Sequence, residues 1–158
     1  MRAHPLHWLA VLALAGCATG NSSYEMSRQE EFRREFTSGT LCTATDCTVK
    51  VTVAANCAIS VDPPTLGIDT RVDDATIHWI IQPGASGRVA FTREGINPKA
   101  GNWQREFKDP KRVSATEFTW LDKNKLQGGP RKRPHAYNVD VMQDATPCHF
   151  DPTIINDY

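Results

Sequence analysis

The chain has 158 residues with 18 basic and 18 acidic side chains, a formal net charge of zero. That length suits one domain and is short for two. The charge balance gives no global pull toward nucleic acid or an anionic surface, and no apolar run after residue 16 approaches the roughly 20 residues needed to span a bilayer.

Residues 1–16 read as an export signal. Arg2 gives a positive start, helped by His4 and His7 when protonated, and Leu9–Leu14 form a short apolar stretch that ends at Leu14-Ala15-Gly16-Cys17. Six apolar residues cannot cross a membrane, but they suit a signal peptide. The tetrapeptide resembles the lipobox of bacterial lipoproteins, L-[AS]-[GA]-C, and the resemblance covers the signal region alone. It implies a diacylglyceryl thioether on Cys17, cleavage before it and acylation of the new amino terminus. Two or more acyl chains anchor a protein stably where one does so marginally. Ala18 and Thr19 stand where, in Gram-negative lipoproteins, an Asp commonly signals retention in the inner membrane. The resemblance therefore implies the outer membrane, facing the periplasm. The competing reading is a plain signal peptide with a chance cysteine.

Residues 17–41 are expected to form the lipidated start and a flexible tether, beginning with the small polar run ATGNSS. Within it, Ser27 and Glu30 match a capping box, Glu30 and Arg34 are spaced for an ion pair, and Phe32 and Phe36 share a face. A short helix follows, one that needs its phenylalanines docked, since isolated helices of this length are marginal. The domain is expected over 42–158.

Setting Cys17 aside, Cys42, Cys47, Cys57 and Cys148 remain. An even number in an exported chain reads as two disulfides with three connectivities. Cys42 with Cys47 and Cys57 with Cys148 is the favoured pairing. The rival is a metal site, although Cys-x4-Cys without a second close pair is a poor zinc pattern.

From Cys47 the hydrophobic period is two. Val49, Val51 and Val53 alternate with polar residues, as do Ile59 and Val61. Ile77, Trp79 and Ile81 oppose His78 and Ile80. Val89 and Phe91, Phe118 and Trp120, and Tyr137, Val139 and Val141 continue the pattern, and Ile154 and Ile155 suggest a closing strand. These are half-buried strands. DPPTLG, QPGASG, EGINPKAG, KDPK and QGGPRKRP read as turns. About seven short strands with no strong helix between them predict an all-β fold, an antiparallel Ig-like β-sandwich. The segments VTVAANCAISVDP, IHWII, GRVAFTREGI and DPTIIN are also loosely similar to uncharacterised small secreted β-sandwich proteins of bacteria, a similarity that implies no function.

Chemistry is mostly absent from the motifs. GASGR lacks the spacing of a nucleophile elbow, no phosphate loop or dinucleotide fingerprint occurs, and the segment beginning at Asp122 starts like a calcium loop but places its glycine late and lacks the closing Glu. His78, His135 and His149 follow the signal. A copper site of cupredoxin type would need His78, Cys148, His149 and a methionine, but adjacent Cys148 and His149 point to opposite faces of a strand, and Met142 precedes them. His78 reads more simply as a surface-strand residue. Asp62, Asp69, Asp73 and Asp74 could supply paired carboxylates, or serve only in turns.

Arg131, Lys132 and Arg133 form a basic run that could meet an acidic partner or lipid phosphates, or simply solvate a hairpin loop. Trp103 could anchor a partner or cap the sandwich. The expected function is a non-enzymatic envelope lipoprotein without cofactor. It is expected to bind the membrane through Cys17 and to bind or support an envelope protein or glycan, and not nucleic acid. The alternative is a periplasmic copper-handling protein using His78, His149 and Asp151.

Overall fold

A computed structural model describes residues 40–69, 71–99, 103–124 and 132–157. Cys17, the expected helix around Ser27–Phe36 and Arg131 lie outside these residues. The described fold is all-β and comprises eleven strands: β1 Leu41–Cys42, β2 Asp46–Val53, β3 Ile59–Asp62, β4 Thr65–Ile68, β5 Ala75–Ile81, β6 Val89–Pro98, β7 Phe107–Arg112, β8 Glu117–Asp122, β9 Lys132–Gln143, β10 Thr146–Phe150 and β11 Thr153–Asp157. A 3-10 turn covers Ala55–Cys57 and one helical turn covers Trp103–Glu106.

The strands form two sheets. One has the order β3-β2-β5-β8-β7, and the other runs β1-β4-β11-β9-β10 with β6 also on β9. The sheets pack as a sandwich. Trp79 of β5 donates from Nε1 to the Tyr137 hydroxyl of β9 at 3.1 Å, and the Phe91 ring of β6 meets Phe118 of β8 edge-on at 6.0 Å. Alternation builds this core. Along β2 every second residue is buried, and along β5 Ile77, Trp79 and Ile81 turn inward while His78 and Ile80 turn outward.

The expectation of antiparallel sheets is corrected. β2 pairs β5 in parallel, β4 pairs β1 in parallel and β11 pairs β4 in parallel. The chain crosses between sheets at β4 and returns at β5, which turns neighbouring strands the same way. The strand count is also higher than seven, because segments rich in Pro and Gly take strand positions at or near edges, where a missing N–H is tolerated. DPPTLG contains β4, KDPK lies within the edge strand β7, and EGINP ends β6, another strand with one partner.

β9 is the spine of its sheet. β10 and β11 lie along it as one strand interrupted at Asp151–Pro152, with the same register on both sides: Phe150 pairs Val139 and Thr153 pairs Ala136. On the other edge, β6 pairs β9 through a bulge between Phe91 and Ile96. Gly95 sits in that bulge, where a Cβ would lie 2.8 Å from the Phe118 ring.

The cysteines join in the favoured pairing, Cys42–Cys47 and Cys57–Cys148. Each bridge ties one sheet to the other, and the two lie at opposite ends of the sandwich. Cys47 stands near the start of β2, whereas Cys57 follows the end of β2 and meets Cys148 of β10. Buried Cys47 lies on β2, the strand beside Trp79's β5, and Trp79 itself packs edge-on against Tyr137 of the facing sheet, ring centroids 5.5 Å apart.

Candidate functional site

The most unusual chemistry lies at the end of the sandwich where β8 and β11 finish and β9 begins. Carboxylates are rarely buried without partners, yet Glu106, Asp122 and Asn156 are each 0% exposed there, and Asp69 and Asn124 are nearly so. Local structure explains how they arrive. The helical turn Trp103–Glu106 runs directly into β7, which carries Glu106 inward, and its carbonyl accepts the Lys123 N–H at 2.7 Å. Asp122 ends β8, and its Oδ1 accepts the Asn124 N–H at 2.9 Å, an Asx turn. Asn124, held with φ +40, then donates its amide to the carbonyls of Asp69 and Val72 at 3.1 and 3.2 Å.

Asn156 of β11 links the acids. Its Nδ2 donates to Asp122 Oδ1 at 3.1 Å and to Glu106 Oε2 at 3.3 Å. His135 of β9 approaches the same Glu106 oxygen through Nε2 at 2.5 Å and rests edge-on against Phe107 at 5.0 Å. Burial pushes the Asp122 carboxyl up to about 7; the Asn124 and Asn156 hydrogen bonds pull the other way, and the Glu106 charge adds to the rise. Asp122 Oδ2, Asn124 Oδ1 and Asn156 Oδ1 are buried and take no hydrogen bond among the described residues.

A carboxyl with a pKa near neutral, linked through Asn156 and Glu106 to a histidine, is a grouping of the kind proton transfer uses. Space is the constraint. The adjoining cavity, bounded by His135, Tyr137, Trp79, Trp120 and Phe107, holds about 20 Å³, room for a water-sized group. Burial also raises the Tyr137 hydroxyl above its ordinary range, against the Trp79 hydrogen bond.

Of the residues singled out from the sequence, some converge here. Trp103 begins the helical turn that delivers Glu106. Lys132 and Arg133 open β9 opposite Asp157 and Asn156. Asp69 is clasped by Arg71, whose guanidinium reaches both carboxylate oxygens at 2.9 and 2.8 Å. Asp62 faces Lys50 at 3.7 Å, and Asp74, one residue before the Ala75 that pairs with Asp122, faces Lys123 at 3.3 Å.

The copper set is scattered. Cys148 is bridged to Cys57. His78 bonds Glu117 through Nδ1 at 2.9 Å and lies 3.4 Å from Asp46, on the outer face of its strand. His149 is exposed, with Nδ1 2.6 Å from Asp140 and Nε2 2.7 Å from Asp151. The bond to Asp140 raises its pKa against slight desolvation, and Asp151 adds to the rise. Lys99 in turn holds the Asp151 carboxyl below its usual range. Among the described residues no group of three or more His, Cys, Asp and Glu side chains is arranged to hold a metal ion.

Glu106, Asp122 and Asn156 were not selected as site residues from the sequence. Glu106 sits in the turn-rich KAGNWQREF, which has no strand periodicity, whereas Asp122 continues the buried alternation of Phe118 and Trp120 and is hidden only by being a carboxylate at the head of DKNKLQGG. No protein-family model matches the chain, and a search of curated proteins finds no match.

Proposed function

We propose that this chain is a non-enzymatic lipoprotein of the cell envelope. It is an Ig-like β-sandwich hung by acylated Cys17 from the outer membrane, facing the periplasm, and it binds or supports another envelope component, a protein or a glycan. The partner contacts the end built by the Trp103 turn and the start of β9.

One observation carries the placement. Trp103 and the Lys132–Arg133 pair lie about thirty residues apart in sequence, yet Asn156 ties their segments together: its backbone pairs with Arg133 and its amide bonds Glu106. A hydrogen-bonded buried centre beneath that surface favours a rigid platform, which lowers the ordering cost of binding.

The test combines fractionation with crosslinking in living cells. Wild-type protein should need detergent for release from membranes, and Cys17→Ala behind an ordinary signal peptide should be soluble. A specific crosslinked species should form with wild type and disappear on joint replacement of Trp103, Arg131, Lys132 and Arg133 by Ala. Release of wild type by salt alone removes the anchor from the proposal. A crosslinked species unaffected by the four replacements removes the binding end.

A further inference from the structure

The opposite end of the sandwich carries a second site, argued independently of the anchor and of the Trp103 end. Three segments converge there: the 3-10 turn Ala55–Cys57, the connection from β5 to β6, and the turn at Asp144 between β9 and β10. They border an open cleft of about 480 Å³, with buried Gln143 at its base and the exposed residues Asn56, Ser86, Gly87, Asp144 and Thr146 around it. That volume falls within the roughly 300–1,000 Å³ of small-molecule sites.

The cleft is built rather than incidental. Gln143 is buried and fastens all three segments. Its Oε1 accepts the Cys57 N–H at 3.0 Å, and its Nε2 donates to the Ala54 carbonyl at 3.0 Å and to the Ser86 carbonyl. The Cys57–Cys148 bridge closes the same corner. Asn56, Cys57 and Asp144 are held at φ +60, +61 and +54, a region that Asn and Asp tolerate in turns and that a residue such as Cys57 rarely occupies. Such conformations persist only where surroundings enforce them, and they gather at ligand sites. Gly87 is required by closeness, since a Cβ there would lie 2.5 Å from Asp144 Oδ2.

The lining selects the ligand class. Asp144 Oδ1 is used by the Arg88 N–H at 3.0 Å, while Oδ2 takes no donor among the described residues. The side chains of Asn56, Ser86 and Thr146 likewise bond nothing among them. Among the described residues no Lys or Arg lines the cleft, so the lining favours a neutral ligand over an anion. Two hydroxyls, an amide and a carboxylate oxygen suit a neutral ligand that both donates and accepts hydrogen bonds. We infer that this cleft binds a hydroxyl-rich saccharide, with Asp144 accepting from sugar hydroxyls and Asn56, Ser86 and Thr146 fixing its orientation.

The test is an amide-shift titration of the ¹⁵N-labelled full-length chain with chitotriose, maltotriose and inorganic phosphate. The expected result is a saturable response to at least one trisaccharide, confined to residues around Asn56, Gly87 and Asp144, and none to phosphate. Preference for chitotriose assigns an amino-sugar polymer, and preference for maltotriose a plain glucan. Asp144→Asn keeps the Oδ1 acceptor and should weaken the saccharide Kd about tenfold, the loss of one charge-assisted hydrogen bond. Thr146→Lys, which leaves the turn residue untouched, should weaken the response by about tenfold or more, by removing a hydroxyl and placing a longer, charged side chain across the cleft. No response to either sugar at the highest soluble concentration, responses unaltered by Thr146→Lys, or a stronger response to phosphate would each overturn the inference.

Discussion

Replacing Asp122 by Asn probes the buried charged centre with minimal change of shape. The Asn retains an oxygen to accept from Asn124 N–H and Asn156 Nδ2, and it cannot ionise. In the unfolded chain Asp122 titrates at its ordinary value of 3.8, whereas burial moves it to about 7 in the folded protein. Between those values the folded state keeps a proton that the unfolded state has released. Stability therefore falls as pH rises through this window. A shift of about three units at about 1.4 kcal/mol each gives a loss of roughly 4 kcal/mol by pH 8. That is a large part of the 5–15 kcal/mol typical of a domain. Urea unfolding with disulfides intact, at one-unit steps from pH 4 to pH 8, reads it directly. The two proteins should be similar near pH 4, and Asp122→Asn should be the more stable by up to about 4 kcal/mol at pH 8. A difference that stays flat with pH, or one that increasingly favours wild type, refutes the reasoning.

Gly95→Ala should cost about 1–3 kcal/mol, because its Cβ would sit 2.8 Å from the Phe118 ring and 3.0 Å from Phe91 Cβ; thermal unfolding measures it. The disulfides should differ in worth. Paired Ser replacements at Cys57 and Cys148, 91 residues apart, should cost about 4–5 kcal/mol by loop-closure entropy, against about 2 kcal/mol for Cys42 and Cys47, five apart, and urea midpoints should follow that order. His149→Gln should remove a stabilisation present below pH 6.5 and lost as pH rises through the raised pKa. The gap between variant and wild type, followed by urea unfolding, should close with increasing pH.

The central strands were legible because their chemistry repeats. Val49, Val51 and Val53, or Ile77, Trp79 and Ile81, state both the strand and its buried face. The edges were not. β4 and β7 contain or follow the Pro and Gly that ordinarily mark turns, and a strand at the margin of a sheet needs neither a full ladder nor a full stripe. Parallel pairing was equally hidden, since one strand's alternation is the same whichever way its neighbour runs. The disulfide pairing was one of three that the sequence left open, and the structure holds the favoured one. The site was not legible: Glu106, Asp122, His135 and Asn156 come from four separate segments, and nothing local to any of them records that the others converge on it.

The two ends of the sandwich depart from ordinary folding rules in different ways. One buries carboxylates that apolar residues could replace, a substitution that is often neutral or stabilising. The other fastens three segments on the buried amide of Gln143, and left-handed residues stand at both ends, Asp74 and Asn124 at the first and Asn56, Cys57 and Asp144 at the second. Between them the core follows simple alternation. Departures of this kind are retained where they serve something other than stability. Each end also carries one of the two sheet-to-sheet disulfides, so covalent constraint lies where local preference is weakest. This arrangement fits a molecule whose middle is a spacer and whose ends carry the contacts, the charged end presenting a fixed surface and the cleft end a shaped one.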